Sequence, residues 1–228
     1  MRASLLLLVL LALTVVPSLA QPARSDLAPA VVSESGAYTV PFASEGNVLE
    51  LAVVNTAATA VEEVAVTVAE APAWLVVEPV EVVLDGLVGG AEVPVLFTFS
   101  VVQSAPVGEV AALRFAITVQ GVLLGEKEIH LQVEAPRAFA LHGNYPNPFN
   151  PITRLGYTLP QASKVSLRIY DVLGREVAHL VEEEHGAGYH EAVWDAGRFA
   201  SGVYVYRLVA EDEAGGRTVR QRTMLLVK

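Results

Sequence analysis

The run Asn144-Tyr145-Pro146-Asn147-Pro148-Phe149-Asn150-Pro151 constrains this chain more than any other stretch. Three prolines in six positions lock φ and remove three backbone donors, which excludes both a helix interior and a central strand. Each proline also pushes the residue before it toward extended geometry. A bare linker is built from Gly, Ser and charge. Here Tyr145 and Phe149 are carried on a stiff strap, so both rings are expected to dock onto a neighbouring surface. The strap reads as a clamp at the start of a C-terminal domain.

Beyond the clamp, apolar residues alternate with polar ones. Leu155, Tyr157 and Leu159 share one strand face, and Val165, Leu167 and Ile169 share another. Asp171-Val172-Leu173-Gly174 is a tight connection. Asp bonds its own downstream backbone and Gly accepts φ > 0, so the flanking strands form a hairpin. Ala187-Gly188 and Ala196-Gly197 mark later turns. Tyr204, Tyr206 and Leu208 share a face of a long strand, and Gly215-Gly216 turns it into a final strand ending at Lys228.

The first part of the chain repeats the pattern. Leu49, Leu51 and Val53, then Val64, Val66 and Val68, then Leu113, Phe115 and Ile117, then Ile129, Leu131 and Val133 each recur with period two. Turn signals fall at Asp85-Gly86, Gly89-Gly90, Ala105-Pro106-Val107-Gly108 and Gly121. Ala57 to Ala73 competes as a helix, but its β-branched alternation favours a strand. Short strands at this spacing argue for antiparallel sandwiches. The expected fold is all-β: two immunoglobulin-like antiparallel β-sandwich domains, residues 21–136 and 137–228. The pattern before Ala135-Pro136-Arg137 loosely resembles bacterial immunoglobulin-like spacer modules.

Met1 to Ala20 reads as a cleaved secretory signal peptide. Arg2 supplies the positive region, Leu5 to Val16 the apolar run and Ser18-Leu19-Ala20 the small-x-small exit, with cleavage between Ala20 and Gln21. The apolar run is shorter than the roughly 20 residues a membrane span needs. Ser25 to Gly36 reads as a loose leader. The chain has no cysteine, which excludes disulfides, thiolate catalysis and cysteine-metal sites.

Charge divides unevenly. From Gln21 to Arg137 there are 4 basic and 15 acidic residues, against 10 and 10 from Ala138 to Lys228. An acidic first domain repels phosphates, so nucleic acid is excluded as its partner. His179, His185 and His190 recur every five residues around Glu182-Glu183-Glu184, but strand and loop geometry is expected to scatter them. No metal site, cofactor site or catalytic set is read: Asp171 and Asp195 are turn residues, and no nucleophile, zinc or phosphate-loop motif occurs. Trp74 and Trp194 read as buried core indoles rather than sugar platforms.

Taken in order, several pieces resemble the C-terminal sorting domain of proteins exported by the type IX secretion system, itself similar to an immunoglobulin-like module of flagellar hook-capping proteins. They are Asn144 to Pro151, Tyr157-Thr158-Leu159-Pro160, Ile169 to Val177, Ala187-Gly188-Tyr189-His190, Val193-Trp194-Asp195, Ser201 to Arg207, and the basic-apolar ending at Lys228. Within them Asn144, Pro146, Asn147, Pro148, Phe149, Tyr170, Asp171, Gly174, Arg175, Gly202, Tyr204 and Lys228 are the candidate motif residues. The resemblance implies export by the general secretory machinery and signal peptidase, then passage through the type IX outer-membrane translocon. It further implies removal of the domain by a sortase-like protease and attachment of some cargo to surface lipopolysaccharide. Arg217 to Lys228 is expected to form an edge strand, with Arg220 and Arg222 on one face and free backbone groups suited to docking.

Overall fold

A computed structural model describes Val9–Ala12, by backbone alone, and residues 37–228. The expected signal peptide, its Ala20/Gln21 cleavage point and the Ser25 to Gly36 leader lie outside the described residues, apart from that short strand. The chain divides into two compact units, one ending at Glu134 and one running Ala135–Lys228.

The first unit contains β1 (Val9–Ala12), β2 (Tyr38–Val40), β3 (Asn47–Asn55), β4 (Val61–Glu70), β5 (Leu75–Glu78), β6 (Glu81–Leu87), β7 (Glu92–Val101), β8 (Val110–Val119) and β9 (Val122–Val133). They make a four-stranded sheet, β1-β3-β7-β5, and a five-stranded sheet, β2-β9-β8-β4-β6. The alternation reads out directly as burial. Leu49, Leu51, Val53, Val64, Val66, Phe97, Leu113, Phe115 and Ile129 are nearly or fully inaccessible and form one core. Ala57 to Ala73 supplies strand β4, not a helix.

Three details depart from expectation. β2 pairs with β9 in parallel, so the unit is not wholly antiparallel. Asp85-Gly86 does not turn but continues β6, where Gly86 pairs with Glu62. β6 is an edge strand, where a charged residue and a glycine cost the sheet little. Trp74 is only half-buried against the core. By contrast Gln120 (φ 49°) and Gly121 (φ 73°) form the expected two-residue turn of the β8–β9 hairpin.

The second unit contains β10 (Ala140–Leu141), β11 (Ile152–Leu159), β12 (Ser163–Tyr170), β13 (Glu176–His185), β14 (Gly188–Asp195), β15 (Gly202–Asp212) and β16 (Arg217–Leu226). One sheet runs β10-β11-β14 and the other β13-β12-β15-β16. Their core includes Leu155, Tyr157, Leu159, Val165, Leu167, Ile169, Trp194, Tyr206 and Leu208. The β12–β13 hairpin turns at Asp171–Gly174, with Gly174 at φ 78°. There the Gly174 N–H donates to the Asp171 carbonyl at 3.0 Å. β15 is central in its sheet, and β16 lies at the edge.

Candidate functional site

The clamp is built from backbone groups that cannot pair within the strap. Tyr145 exchanges two hydrogen bonds with Arg154 of β11, N–H to carbonyl at 3.0 Å and 2.9 Å. Residues opposite each other in an antiparallel bridge share a sheet face. Arg154 is exposed, so the Tyr145 ring points to solvent and is 79% exposed. The expectation that Tyr145 docks is thus corrected.

Phe149 does dock. Its ring is buried and packs 5.5 Å from the Trp194 ring, which in turn meets Tyr204 edge-on at 5.2 Å. Asn144 and Thr153, which flank the two aromatics in sequence, lock the strap. Both are buried; the Asn144 amide donates to Thr153 Oγ1 and to the Pro146 carbonyl, each at 3.0 Å. The Thr153 hydroxyl donates to the same carbonyl at 2.9 Å. The peptide bonds before Pro146 and Pro148 are cis.

What the clamp holds is the end of the chain. Phe149 N–H donates to the Leu225 carbonyl, and Val227 N–H donates to the Phe149 carbonyl, both at 3.0 Å. The Leu225 N–H donates to Asn147 Oδ1 at 3.0 Å. The strap therefore caps the open edge of β16 at its last residues, in a parallel bridge between Phe149 and Leu226. Lys228 is tied as well: its N–H donates to Ser201 Oγ at 3.0 Å, and its ammonium to the Gly197 carbonyl at 2.7 Å. Arg222 shares the core-facing side of β16 with Met224 and Leu226, and its Nε donates across the sandwich to the Leu141 carbonyl at 2.7 Å. Arg220, on the same face, lies 5.9 Å over the Phe139 ring. The strap thus occupies the outer edge of β16 only at its end, from Leu225 to Val227.

The other candidate residues serve the hairpins. Asp171 Oδ1 accepts the N–H groups of Leu173 and Arg175, at 2.9 Å and 3.0 Å. Its Oδ2 accepts Arg175 Nε at 2.7 Å, and these bonds, the Arg175 side chain first, hold the carboxyl below its usual range. Gly202 opens β15, and the Tyr204 hydroxyl closes the preceding loop by donating to the Ala200 carbonyl at 2.7 Å. Tyr170 lies on the opposite sheet face from the clamp contacts, beneath Arg207.

The histidines are not scattered as expected. His185 and His190 stack with centroids 4.4 Å apart where β13 crosses into β14, and both stack on the buried Tyr157, whose hydroxyl bonds His185 Nδ1 at 2.7 Å. His179 stands apart, bonded to Glu182. Sequence spacing concealed this because the link runs across strands: Tyr157 pairs with His190 in register. Among the described residues no group of three or more His, Asp or Glu could hold a metal ion.

Burial lowers the His190 pKa below its ordinary value, with His185 adding to the effect, and burial first and Arg222 second lower that of His142. Both are therefore held neutral more firmly folded than unfolded. The stability this confers is fully present above the unfolded value of about 6.5 and is lost as pH falls toward the folded values. The melting temperature of the C-terminal unit is expected to fall between pH 7 and pH 5, and His190→Gln to flatten that dependence. A melt series showing no slope in the parent chain would contradict this.

Residues 144–220 match the family described as the secretion system C-terminal sorting domain, and the C-terminal unit carries such a domain. The match supports secretion by the type IX system, to the cell surface or the extracellular space. No curated protein matches the sequence significantly. Similar solved structures include dimeric latent PorU from Porphyromonas gingivalis, at 15% identity, covering 82% of this chain and 19% of that one, TM-score 0.34. CopC from Methylosinus trichosporium OB3b is similar at 18% identity over 39% of this chain and 93% of that one, TM-score 0.27. The YadV chaperone is similar at 11% identity over 95% and 99%, TM-score 0.30.

Proposed function

We propose that this is a non-catalytic exported protein in which the C-terminal unit is the address and the first unit the passenger, with a structural or adhesive role. The observation that carries the reading is the sorting-domain match over a self-contained sandwich whose last strand is capped by the domain's own first segment. On this reading the general secretory machinery and signal peptidase act first, on Met1 to Ala20. The type IX translocon and its sortase-like protease then act on the C-terminal unit, and lipopolysaccharide attachment is a further step open to the released cargo. Among the described residues of the first unit no aromatic side chain is exposed, which weighs against a sugar platform there.

Sufficiency tests the address. A periplasm-directed reporter fused ahead of residues 135–228 is expected outside cells that have a working type IX translocon, and inside the periplasm of cells that lack one. A reporter retained in both strains would remove the role assigned to this unit.

A further inference from the structure

The outer face of the sheet β13-β12-β15-β16 divides into two halves by chemistry. In the half nearer the β15–β16 turn the charges are matched: Glu211 stands opposite both Lys164 and Arg217, and Arg168 is neutralised by Glu176 and Glu182. Toward the clamp, β15 and β16 carry no outward charge. Past Arg207 the outward positions of β15 are Val205 and Val203. Past Gln221 those of β16 are Thr223 and Leu225, with Val227 following at the same period. Val203 and Leu225 are direct cross-strand partners. The Asp171–Gly174 turn adds Val172, which shares a recess with Tyr170 and Val205, and Leu173 follows it at the tip.

The fold does not call for these side chains to be apolar. The core of the unit is built on the opposite face of the same strands, by Tyr204, Tyr206, Met224 and Leu226. Val172, Leu173, Val203, Leu225 and Val227 are instead between 38% and 74% exposed. Val172 and Leu173 hold the central positions of a turn, where polar residues, proline and glycine are the usual choice, and the turn is already closed by Asp171 and Gly174. Single exposed apolar residues are ordinary, but a contiguous group marks an interaction site. The clamp decides how a partner can engage it. The Leu225 N–H and carbonyl and the Val227 N–H are bonded to the strap, so no further strand can be added at this end. Only the side chains of the face remain to be read.

We propose that a component of the type IX translocon docks on this half-face through an apolar surface of its own, reading the side chains displayed beside the locked chain end. The proposal rests on the address reading above, and the sorting-domain match spans Val172, Leu173 and Val203. Size favours this occupant over a second copy of the chain. The five side chains expose on the order of a few hundred Å², the scale of a functional patch on a monomer, whereas a stable dimer takes roughly 800 Å² from each partner. A small contact also suits an address, which is read and then released.

Val203→Lys with Leu225→Glu, made in the full chain, places an opposite-charge pair across the strands, so the sheet is kept while the apolar surface is lost. In cells with a working type IX translocon it is expected to lower the exported fraction about tenfold or more, because docking would bury charge against apolar surface. Folded protein should collect in the periplasm. Val172→Lys with Leu173→Asp, confined to the turn tip, should do the same without touching strand pairing. The control is Val209→Lys with Val219→Glu, a cross-strand pair on the same face within its charged half, which should be exported like the parent. Unchanged melting curves of the purified chains will separate a lost docking face from a lost fold. Parent-like export of either patch variant, or an equal loss from the control, would overturn the proposal while leaving the address reading, which the reporter fusion tests separately. A parent chain that sediments as a dimer, made monomeric by Val203→Lys with Leu225→Glu, would overturn it in favour of a second copy. Retention of the parent chain itself would overturn the address reading and the proposal with it.

Discussion

Phe149→Ala is expected to destabilise the C-terminal unit by about 3–5 kcal/mol, the usual cost of emptying a buried aromatic site. That is a large share of the roughly 5–15 kcal/mol that holds a domain of ordinary stability. Two losses combine. The cavity opens against Trp194, whose own packing on Tyr204 and Phe199 then loosens. The strap also loses the anchor that keeps its backbone against Leu225 and Val227. For a unit of this size the melting temperature should drop by more than about 12 °C. Tyr145→Ala is the control. It removes a ring of similar size four residues earlier, but one that faces solvent, so its effect should stay within about 0.5 kcal/mol. Comparable losses from the two substitutions would mean that the strap is held by its prolines rather than by the Phe149 anchor.

That contrast also marks how far sequence reasoning reached. The strands were legible because burial follows period two at Leu113-Phe115-Ile117 and at Val165-Leu167-Ile169, where one face is core and the other wet. The Asp171–Gly174 hairpin was legible because Asp and Gly each supply a local requirement of the turn. The residues of the clamp were legible as a constrained strap, and Phe149 as a docking ring. Tyr145 was misread because its direction is set by pairing with Arg154, and pairing is not written in local pattern. Asp85-Gly86 was misread for a similar reason: β4 lies alongside and supplies a ladder that overrides the turn preference. The stacking of His185 on His190 depends on the β13–β14 crossover between sheets, and on Tyr157 lying beneath it. Likewise, nothing around Phe149 announces that its backbone will meet Leu225 and Val227 at the far end of the domain. An edge strand was expected at the C-terminus. The capping of that edge by the strap had to be seen.

The cap makes the chain end the place where export and folding can be separated. Removing Val227 and Lys228 deletes the Val227 bond to the Phe149 carbonyl and both Lys228 bonds, to Ser201 and to Gly197. It leaves Met224 and Leu226 in the core, together with the Phe149 bond to the Leu225 carbonyl. Three solvent-exposed hydrogen bonds, each at the lower end of about 0.5–1.5 kcal/mol, cost less than the Phe149 cavity, so the shortened unit should still fold cooperatively. If the locked end is what the translocon reads, the consequence for export should far exceed that modest loss of stability. The decisive measurement is where the truncated protein goes. In cells with a working type IX translocon, fractionation should find the full chain outside and the chain lacking Val227 and Lys228 folded in the periplasm. Normal appearance of the truncated protein outside the cell would contradict a sorting role for the clamped C-terminal strand.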